Sequence, residues 1–291
     1  FFYKNKDFEI TYAIKKKYNY YFFYLFINYF LELEIYQIDA FTSEVFRGNP
    51  ACVVPLSKWL NDEIMIKIAK ENNVSETAFL IKKNNDFCLR WFTPNVEMDL
   101  CGHATLATAH YLKQHQNHPN DEISFHTKSG ILKSKFIKGS IQLELPLREP
   151  KKTIIPPNLA NAVNFKPIEI LKARDFILVY DDQLKIENIK INRFEFDKIN
   201  IDPGGVAFTS PGKYCDFVSR FFTPQSSIFE DSVTGSSHCS LIPYWSRKLN
   251  KKKLKSIQLS ERTGILECEA HKNHILISGK AKTYLKGKIF I

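Results

Sequence analysis

Arg90-Trp91-Phe92-Thr93-Pro94, followed by Cys101-Gly102-His103-Ala104-Thr105, returns later in the chain as Arg220-Phe221-Phe222-Thr223-Pro224, followed by Thr234-Gly235-Ser236-Ser237-His238. Ser129-Gly130-Ile131-Leu132 is echoed in the same way by Thr263-Gly264-Ile265-Leu266. The interval is about 130 residues, far longer than a solenoid unit, and it widens only slightly from the first pair to the last, as small insertions would cause. This period predicts a duplicated domain: two similar lobes that face each other with equivalent motifs at the cleft between them, where a ligand site is expected.

Composition agrees with two ordinary cores. The chain has 291 residues, 44% hydrophobic and 25% charged, enough for two units of about 100 to 150 residues each. Its formal charge of +10 sits largely in two local runs, Lys15 to Lys17 and Arg247 to Lys255, which read as solvated faces. No zinc-finger spacing, RNA-binding signature or aromatic-and-basic stripe accompanies them, so no nucleic-acid partner is expected. Six cysteines, Cys52, Cys88, Cys101, Cys215, Cys239 and Cys268, show neither a CxxC pair nor a Cys/His ligand spacing. A reducing, cytoplasmic setting and no metal site are the corresponding expectations.

Residues 1–34 stand apart from the rest. Tyr20 to Leu31 is aromatic-rich but too short to span a bilayer, and no small-residue cleavage site follows it. Three readings stand open: a spurious extension, a membrane or targeting element, and an integral strand. The folded domain itself is not expected to enter a membrane.

From about Tyr36 the elements can be placed. Ile35 to Ala40 alternates as a strand, Arg47-Gly48-Asn49-Pro50 is a turn, and Ala51 to Val54 is a second strand. An amphipathic helix is predicted from Ser57, with Leu60, Ile64 and Ile68 on one face and Asn72-Asn73 at its end, so that Glu76 lies just beyond it. Strands at Thr77 to Ile81 and Phe87 to Phe92 precede an Ala/Leu-rich helix from Gly102 to about Leu112. Three more strands follow, at Ile123 to Thr127, Ile131 to Ile137 and Ile141 to Leu145. Pro146 to Pro157 reads as the linker. The second half repeats the order with strands near Phe176 to Tyr180, Val206 to Thr209 and Phe217 to Phe222, then a helix from Gly235 to about Leu249 that Pro243 should kink or shorten. No regular βαβ beat appears, so the fold class is α+β, with each lobe a mixed sheet wrapped around a central helix. The divisions are 1–34, 35–149 and 150–291, with the last strand a candidate to return to the first lobe.

Both repeated motifs place a glycine, Gly102 or Gly235, where the chain enters a helix. There, free backbone N–H groups and the helix dipole favour an anion. Two facing helix starts would hold a carboxylate; the plainer alternative is a pair of tight turns. His103, Asp231, Ser236 and His238 lie beside these glycines, and Glu76 follows Asn73-Val74-Ser75. Taken singly, each has a bland reading: His103 as a cap or packing residue, Asp231 as an N-cap, Glu76 as a solvated charge.

Four stretches in order resemble the phenazine biosynthesis PhzF-like isomerase family. They are Tyr36-Gln37-Ile38-Asp39-Ala40-Phe41 with Phe46-Arg47-Gly48-Asn49-Pro50; Val74-Ser75-Glu76-Thr77-Ala78-Phe79; Gly102-His103-Ala104-Thr105; and Glu230-Asp231-Ser232-Val233-Thr234-Gly235-Ser236. The resemblance covers about Tyr36 to Ile291 and implies a diaminopimelate epimerase-like fold of two pseudo-symmetric lobes, usually a homodimer. It implies that Glu76 is the general acid/base, with His103 and Asp231 as polar partners. It also implies that Asn49, Ser75, Gly102, Gly235 and Ser236 line the substrate site, and that no cofactor is needed. A carboxylic acid shielded from water has a raised pKa and can take and return a proton near neutral pH. No GxGxxG, P-loop or GxSxG pattern suggests other chemistry.

Two departures from the family pattern bear on this. Ser232 stands where many relatives have proline, which should loosen the loop. Cys101 resembles the cysteine base of diaminopimelate epimerase, but the second repeat offers Asp231 and Thr234 where an opposing thiol would be needed. The expectation is therefore a cofactor-independent isomerase that shifts a proton between carbons of a small carboxylate. The rivals are an amino-acid racemase or epimerase using Cys101, and a non-catalytic binding or scaffold protein of the same fold.

Overall fold

The computed structural model describes residues 31–201 and 204–291, so the readings offered for residues 1–30 lie outside the described residues. The first repeat contains β1 (Glu32–Ala40), β2 (Asn49–Leu56), α1 (Asp62–Asn72), β3 (Glu76–Lys83), β4 (Asp86–Phe92), β5 (Glu97–Met98), α2 (Gly102–His115), β6 (Glu122–Thr127), β7 (Gly130–Ile137) and β8 (Ser140–Pro146). Next come β9 (Lys151–Lys152), α3 (Pro157–Ala162), β10 (Glu169–Lys172), β11 (Phe176–Val179), α4 (Gln183–Glu187), α5 (Arg193–Phe196), β12 (Val206–Pro211) and β13 (Phe217–Phe222). The chain finishes with β14 (Glu230–Asp231), α6 (His238–Leu249), β15 (Lys253–Gln258), β16 (Gly264–Ala270), β17 (His274–Gly279) and β18 (Ala281–Phe290).

The duplication is written in the strand pairing. In the first repeat β1–β2 is antiparallel, β2–β3 parallel, β3–β4 and β4–β5 antiparallel, β4–β6 parallel, and β6–β7 and β7–β8 antiparallel. The same sequence of senses runs from β10 to β17. The two runs join where β8 pairs antiparallel with β17, Leu143 opposite Ile277, so the lobes share one continuous sheet. Each repeat also lends a strand across the junction: β9 leaves β8 to pair with β10, and β18 leaves β17 to pair with β1. Glu32 to Glu34, set apart in the sequence, therefore belong to the sheet, because β18 extends far enough to pair with them. Lys151-Lys152, inside the predicted linker, is likewise a strand.

Both central helices are buried over most of their circumference, as a helix enclosed by a sheet must be. Gly102 to Ala109 of α2 and His238 to Trp245 of α6 are all buried. In α2 the run of Gly, Ala and Thr lets the strands close around the helix. Two predicted helix starts move inward. The first helix begins at Asp62 rather than Ser57, because Asn61 accepts the Glu63 N–H through its side chain at 2.8 Å and caps it there. The second begins at His238 rather than Gly235, with Gly235 to Ser237 forming a turn and the Ser237 hydroxyl donating to the Thr234 carbonyl at 2.9 Å. Pro243 neither shortens α6 nor leaves an acceptor unpaired, since the Cys239 carbonyl that has lost its helical donor takes the Arg148 N–H from the linker at 3.0 Å.

The repeated arginine also has a structural purpose. Arg90 grips Glu97 with two bonds of 2.7 and 2.8 Å, and Arg220 grips Glu230 with the same two distances. Thr93 and Thr223 donate their N–H groups to Val96 and Phe229, both at 2.9 Å. Each RxFTP motif is thus a clamped loop that returns the chain to its own strand, and the second loop delivers Asp231.

Candidate active site

Glu76 is the first residue of β3, opposite Ala51 in parallel register. Its Oε2 lies 3.1 Å from Nε2 of His103, the second residue of α2. Both atoms are buried and in ion-pair range, yet their approach lacks hydrogen-bond alignment and neither has another hydrogen-bond partner. Burial opposes charge on His103, but its neighbours Cys101 and Glu76 outweigh that and raise its pKa well above the ordinary value. The Cys101 thiol is itself pushed up to about 11 by burial and by Glu76, so near pH 7 it is neutral and the carboxylate is the neighbour that acts.

Asn49, expected to line the cleft, is fully buried behind its wall and ties the site together. Its Oδ1 accepts from the Ser75 hydroxyl at 3.0 Å, which turns Nδ2 toward Asp231 Oδ1 at 2.7 Å and the Val233 carbonyl at 2.9 Å. His103 Nδ1 is 3.2 Å from the same amide nitrogen and 3.6 Å from Cys101 Sγ. Asp231 is no N-cap. Its other oxygen accepts from Thr234 Oγ1 at 2.6 Å, and burial raises its pKa against the opposing pull of His103. Ser75, Glu76, Gly102, His103, Asp231, Gly235 and Ser236 all line an interlobe cavity of about 530 Å³.

Gly102 and Gly235 meet across the junction. A Cβ built on either would lie 3.2 Å from the other's Cα, so the two backbones touch and leave no room for a side chain. Neither following helix carries a side-chain N-cap: at α2 the N–H groups of Gly102 and His103 stay without a backbone acceptor, whereas the N–H groups of His238 to Leu241 are taken by the carbonyls of Gly235 to Ser237, so the second lobe offers the N–H groups of that turn instead. The tight-turn and anion-site readings are therefore compatible.

The chemistry does not follow the symmetry of the fold. Thr77 and Val206 occupy equivalent places opposite Phe92 and Phe222, so Gly205 stands where Glu76 would repeat. Met98 mirrors Asp231 in the pairing with β4 and β13. Ser236 mirrors His103 and Thr234 mirrors Cys101 around the paired glycines. Glu76 and His103 come from the first repeat and Asp231 from the second, and none of the three has an ionisable counterpart at its mirrored position.

His238 falls outside the set. It takes the place of Thr105: Thr105 Oγ1 donates to the Cys101 carbonyl at 2.6 Å, and His238 Nδ1 donates to the Thr234 carbonyl at 2.8 Å, while its Nε2 lies 3.0 Å from Ser256 Oγ. Burial pushes its pKa down to about 4, against the opposing effect of the Thr234 carbonyl. The unfolded chain binds a proton at this site below about pH 6.5 and the native chain does not, so stability is lost as pH falls from about 6.5 toward 4. The stability gap between wild type and His238→Gln should narrow by on the order of 3 kcal/mol from pH 7 to pH 4 in urea denaturation. A gap independent of pH would contradict this.

Two supports had no signal in the sequence. Gln258 donates to the Asp231 carbonyl at 2.7 Å and accepts the Thr234 N–H at 2.9 Å. Arg262 reaches across from the second repeat to the Gly48 carbonyl at 2.9 Å and to Asp39 at 2.8 Å, bracing the turn that carries Asn49.

A sequence model of the family described as phenazine biosynthesis-like protein matches residues 38–287. The chain belongs to this family. It is similar to an uncharacterized isomerase of Pseudomonas aeruginosa, 42% identical over 262 residues that cover 90% of this chain and all of that one. The solved structure of a phenazine biosynthesis protein of the PhzF family from Enterococcus faecalis has a TM-score of 0.85 at 40% identity, covering 90% of this chain and all of that one. A hydroxyproline epimerase from Agrobacterium vitis shares the fold at a TM-score of 0.58 and 10% identity, covering 89% of this chain and 93% of its own. As a member of the phenazine biosynthesis-like family with relatives of this kind, the chain is an isomerase. No helix among the described residues is long and apolar enough to cross a membrane.

Proposed function

We propose that this isomerase moves a proton between carbons of a small carboxylate-bearing substrate without a cofactor, using Glu76 as the general acid/base. The observation that carries the reading is a carboxylate in the cleft wall whose buried Oε2 has no hydrogen bond, backed by His103 and without a mirror-image partner across the junction. Glu76 takes a C–H proton, and the electron pair left on carbon delocalises toward the substrate carboxylate. The N–H groups of Gly102 and His103 at the start of α2, and those of the Gly235–Ser236 turn, stabilise the charge that develops there. In a substrate with a C=C bond adjoining that carbon the pair also spreads to its far end, where protonated Glu76 returns the proton, which moves the double bond. His103 orients Glu76. Asp231, fixed by Asn49 and Thr234, supplies a polar contact on the opposite wall.

Gly205 at the position that mirrors Glu76 favours this course over two-base epimerisation, in which an equivalent base would stand on each face of the substrate. A thiol pushed up to about 11 is also a poor base near neutral pH. Cys101→Ala should therefore cost less than about tenfold in rate, against the roughly 10² to 10⁴-fold that follows loss of a general base; a larger loss would favour the thiol as the base. The test of the function is mass-spectrometric detection of solvent deuterium in a panel of small amino and hydroxy cyclic carboxylates. If no member of the panel exchanges with the folded wild type, this substrate class is wrong.

A further inference from the structure

We propose that Glu76, Cys101 and His103 also form a binding site for a soft divalent transition-metal ion such as Zn²⁺, and that occupancy by the metal silences proton transfer. A carboxylate oxygen, the Cys101 sulfur and one imidazole nitrogen all lie within 4.8 Å of one another, and among the described residues no other group of three such side chains comes this close. Tetrahedral zinc, with bonds of about 2.0 Å to nitrogen and oxygen and about 2.3 Å to sulfur, holds its ligand atoms roughly 3.3 to 3.7 Å apart. One approach already meets that spacing, His103 Nδ1 to Cys101 Sγ at 3.6 Å, and Glu76 Oε2 to His103 Nε2 at 3.1 Å is slightly shorter. The two approaches use different ring nitrogens, so binding requires the imidazole to turn until one nitrogen serves both neighbours.

The independent observation is the pair of orphaned atoms. Glu76 Oε2 and His103 Nε2 are buried without a hydrogen bond, and His103 as a whole is only 3% exposed. Buried polar atoms in this state are costly, and a cation coordinated by both, once their 3.1 Å approach opens to ligand spacing, would satisfy them. One sulfur, one nitrogen and one oxygen donor suit zinc or cobalt rather than calcium or magnesium, which prefer all-oxygen ligation. Three protein ligands beside an open cavity leave the fourth position to water or substrate. On binding, the thiol releases its proton to solvent and the coordinating nitrogen gives up any proton it carries, so the metal replaces protons and no electron is transferred. The binding rests on this geometry alone. Its inhibitory consequence rests on the reading of Glu76 as the acid/base, since a carboxylate bound to metal cannot take a proton from carbon.

Co²⁺ titration of chelator-treated, dialysed full-length protein tests the site, because a tetrahedral Co²⁺–thiolate centre shows visible bands and a near-ultraviolet sulfur-to-metal charge-transfer band. Wild type and Cys239→Ser, a control for another buried thiol, should develop both bands with a break at one equivalent, and Zn²⁺ should bleach them. Cys101→Ser should lose the charge-transfer band and bind at least about tenfold more weakly, as removal of one ligand demands. Glu76→Gln should keep that band at reduced affinity, which covers the case in which Cys101→Ser fails to fold. No charge-transfer band in folded wild type, or a band that persists in Cys101→Ser, overturns the proposal. Either failure leaves the proton-transfer reading untouched, and failed deuterium exchange would leave the metal site standing.

Discussion

Glu76→Gln is expected to abolish incorporation of solvent deuterium into any substrate the wild type exchanges, a loss of about 10² to 10⁴-fold, the usual contribution of a general acid/base. Glutamine keeps the shape of the side chain and its position at the start of β3, so the backbone pairing of Glu76 with Ala51 should survive and the melting temperature should stay close to wild type. What disappears is the ability to carry a proton. Mass spectrometry of the substrate in heavy water reads this directly, because an exchanged carbon gains one mass unit whether or not the product accumulates. Exchange at the wild-type rate in folded Glu76→Gln would remove Glu76 from the mechanism.

Gly235→Val is expected to lower both stability and activity. The Cβ alone would sit 3.2 Å from Gly102 Cα and 3.3 Å from Ile277 Cδ1, and the two further methyls of valine would have to enter the same space. The obstacle is mainly backbone that is itself the start of α2, so it cannot step aside as a flexible side chain could. Overpacking of this kind costs about 3 kcal/mol, which for a chain this size lowers the melting temperature by roughly 6 to 12 °C. Any relief would come from the lobes moving apart, which widens the cleft and separates the two helix starts that are to hold the carboxylate. Gly287→Ala is the matched control. Its nearest atoms lie at 3.6 to 4.0 Å, ordinary contact distance, and it should melt as wild type. A folded Gly235→Val with wild-type melting would show that the lobes do not meet at these glycines.

The site was legible where a residue's role is local and obscure where it depends on contacts far apart in sequence. The repeated Arg-x-Phe-Thr-Pro motif announced itself because each arginine grips a glutamate a few residues on. Glu76, His103 and Asp231 carry no signal of their own and were placed by family resemblance. Asn49 was expected in the cleft wall but lies behind it, since its side chain is consumed by four neighbours drawn from both repeats. Similar motifs also conceal different causes. Gly130 has a φ of 99° with open space around it, whereas its echo Gly264 is required because Val233 fills the place of a side chain, and the positive φ, 56°, has passed to Thr263.

The sequence by itself determined the duplication, the α+β class, and the order of the main strands around two central helices. These follow from periodicity and from motifs that act within a few residues of themselves. Only the tertiary structure decided that the lobes share one sheet through β8 and β17, that β9 and β18 cross to the opposite repeat, and that ionisable groups from both repeats gather without ionisable counterparts at their mirrored positions. The physical reason is that these outcomes depend on strand register and on backbone contact between Gly102 and Gly235. Apart from β9, whose partner β10 lies only about twenty residues on, they are set by packing between residues more than a hundred positions apart, which no local pattern records.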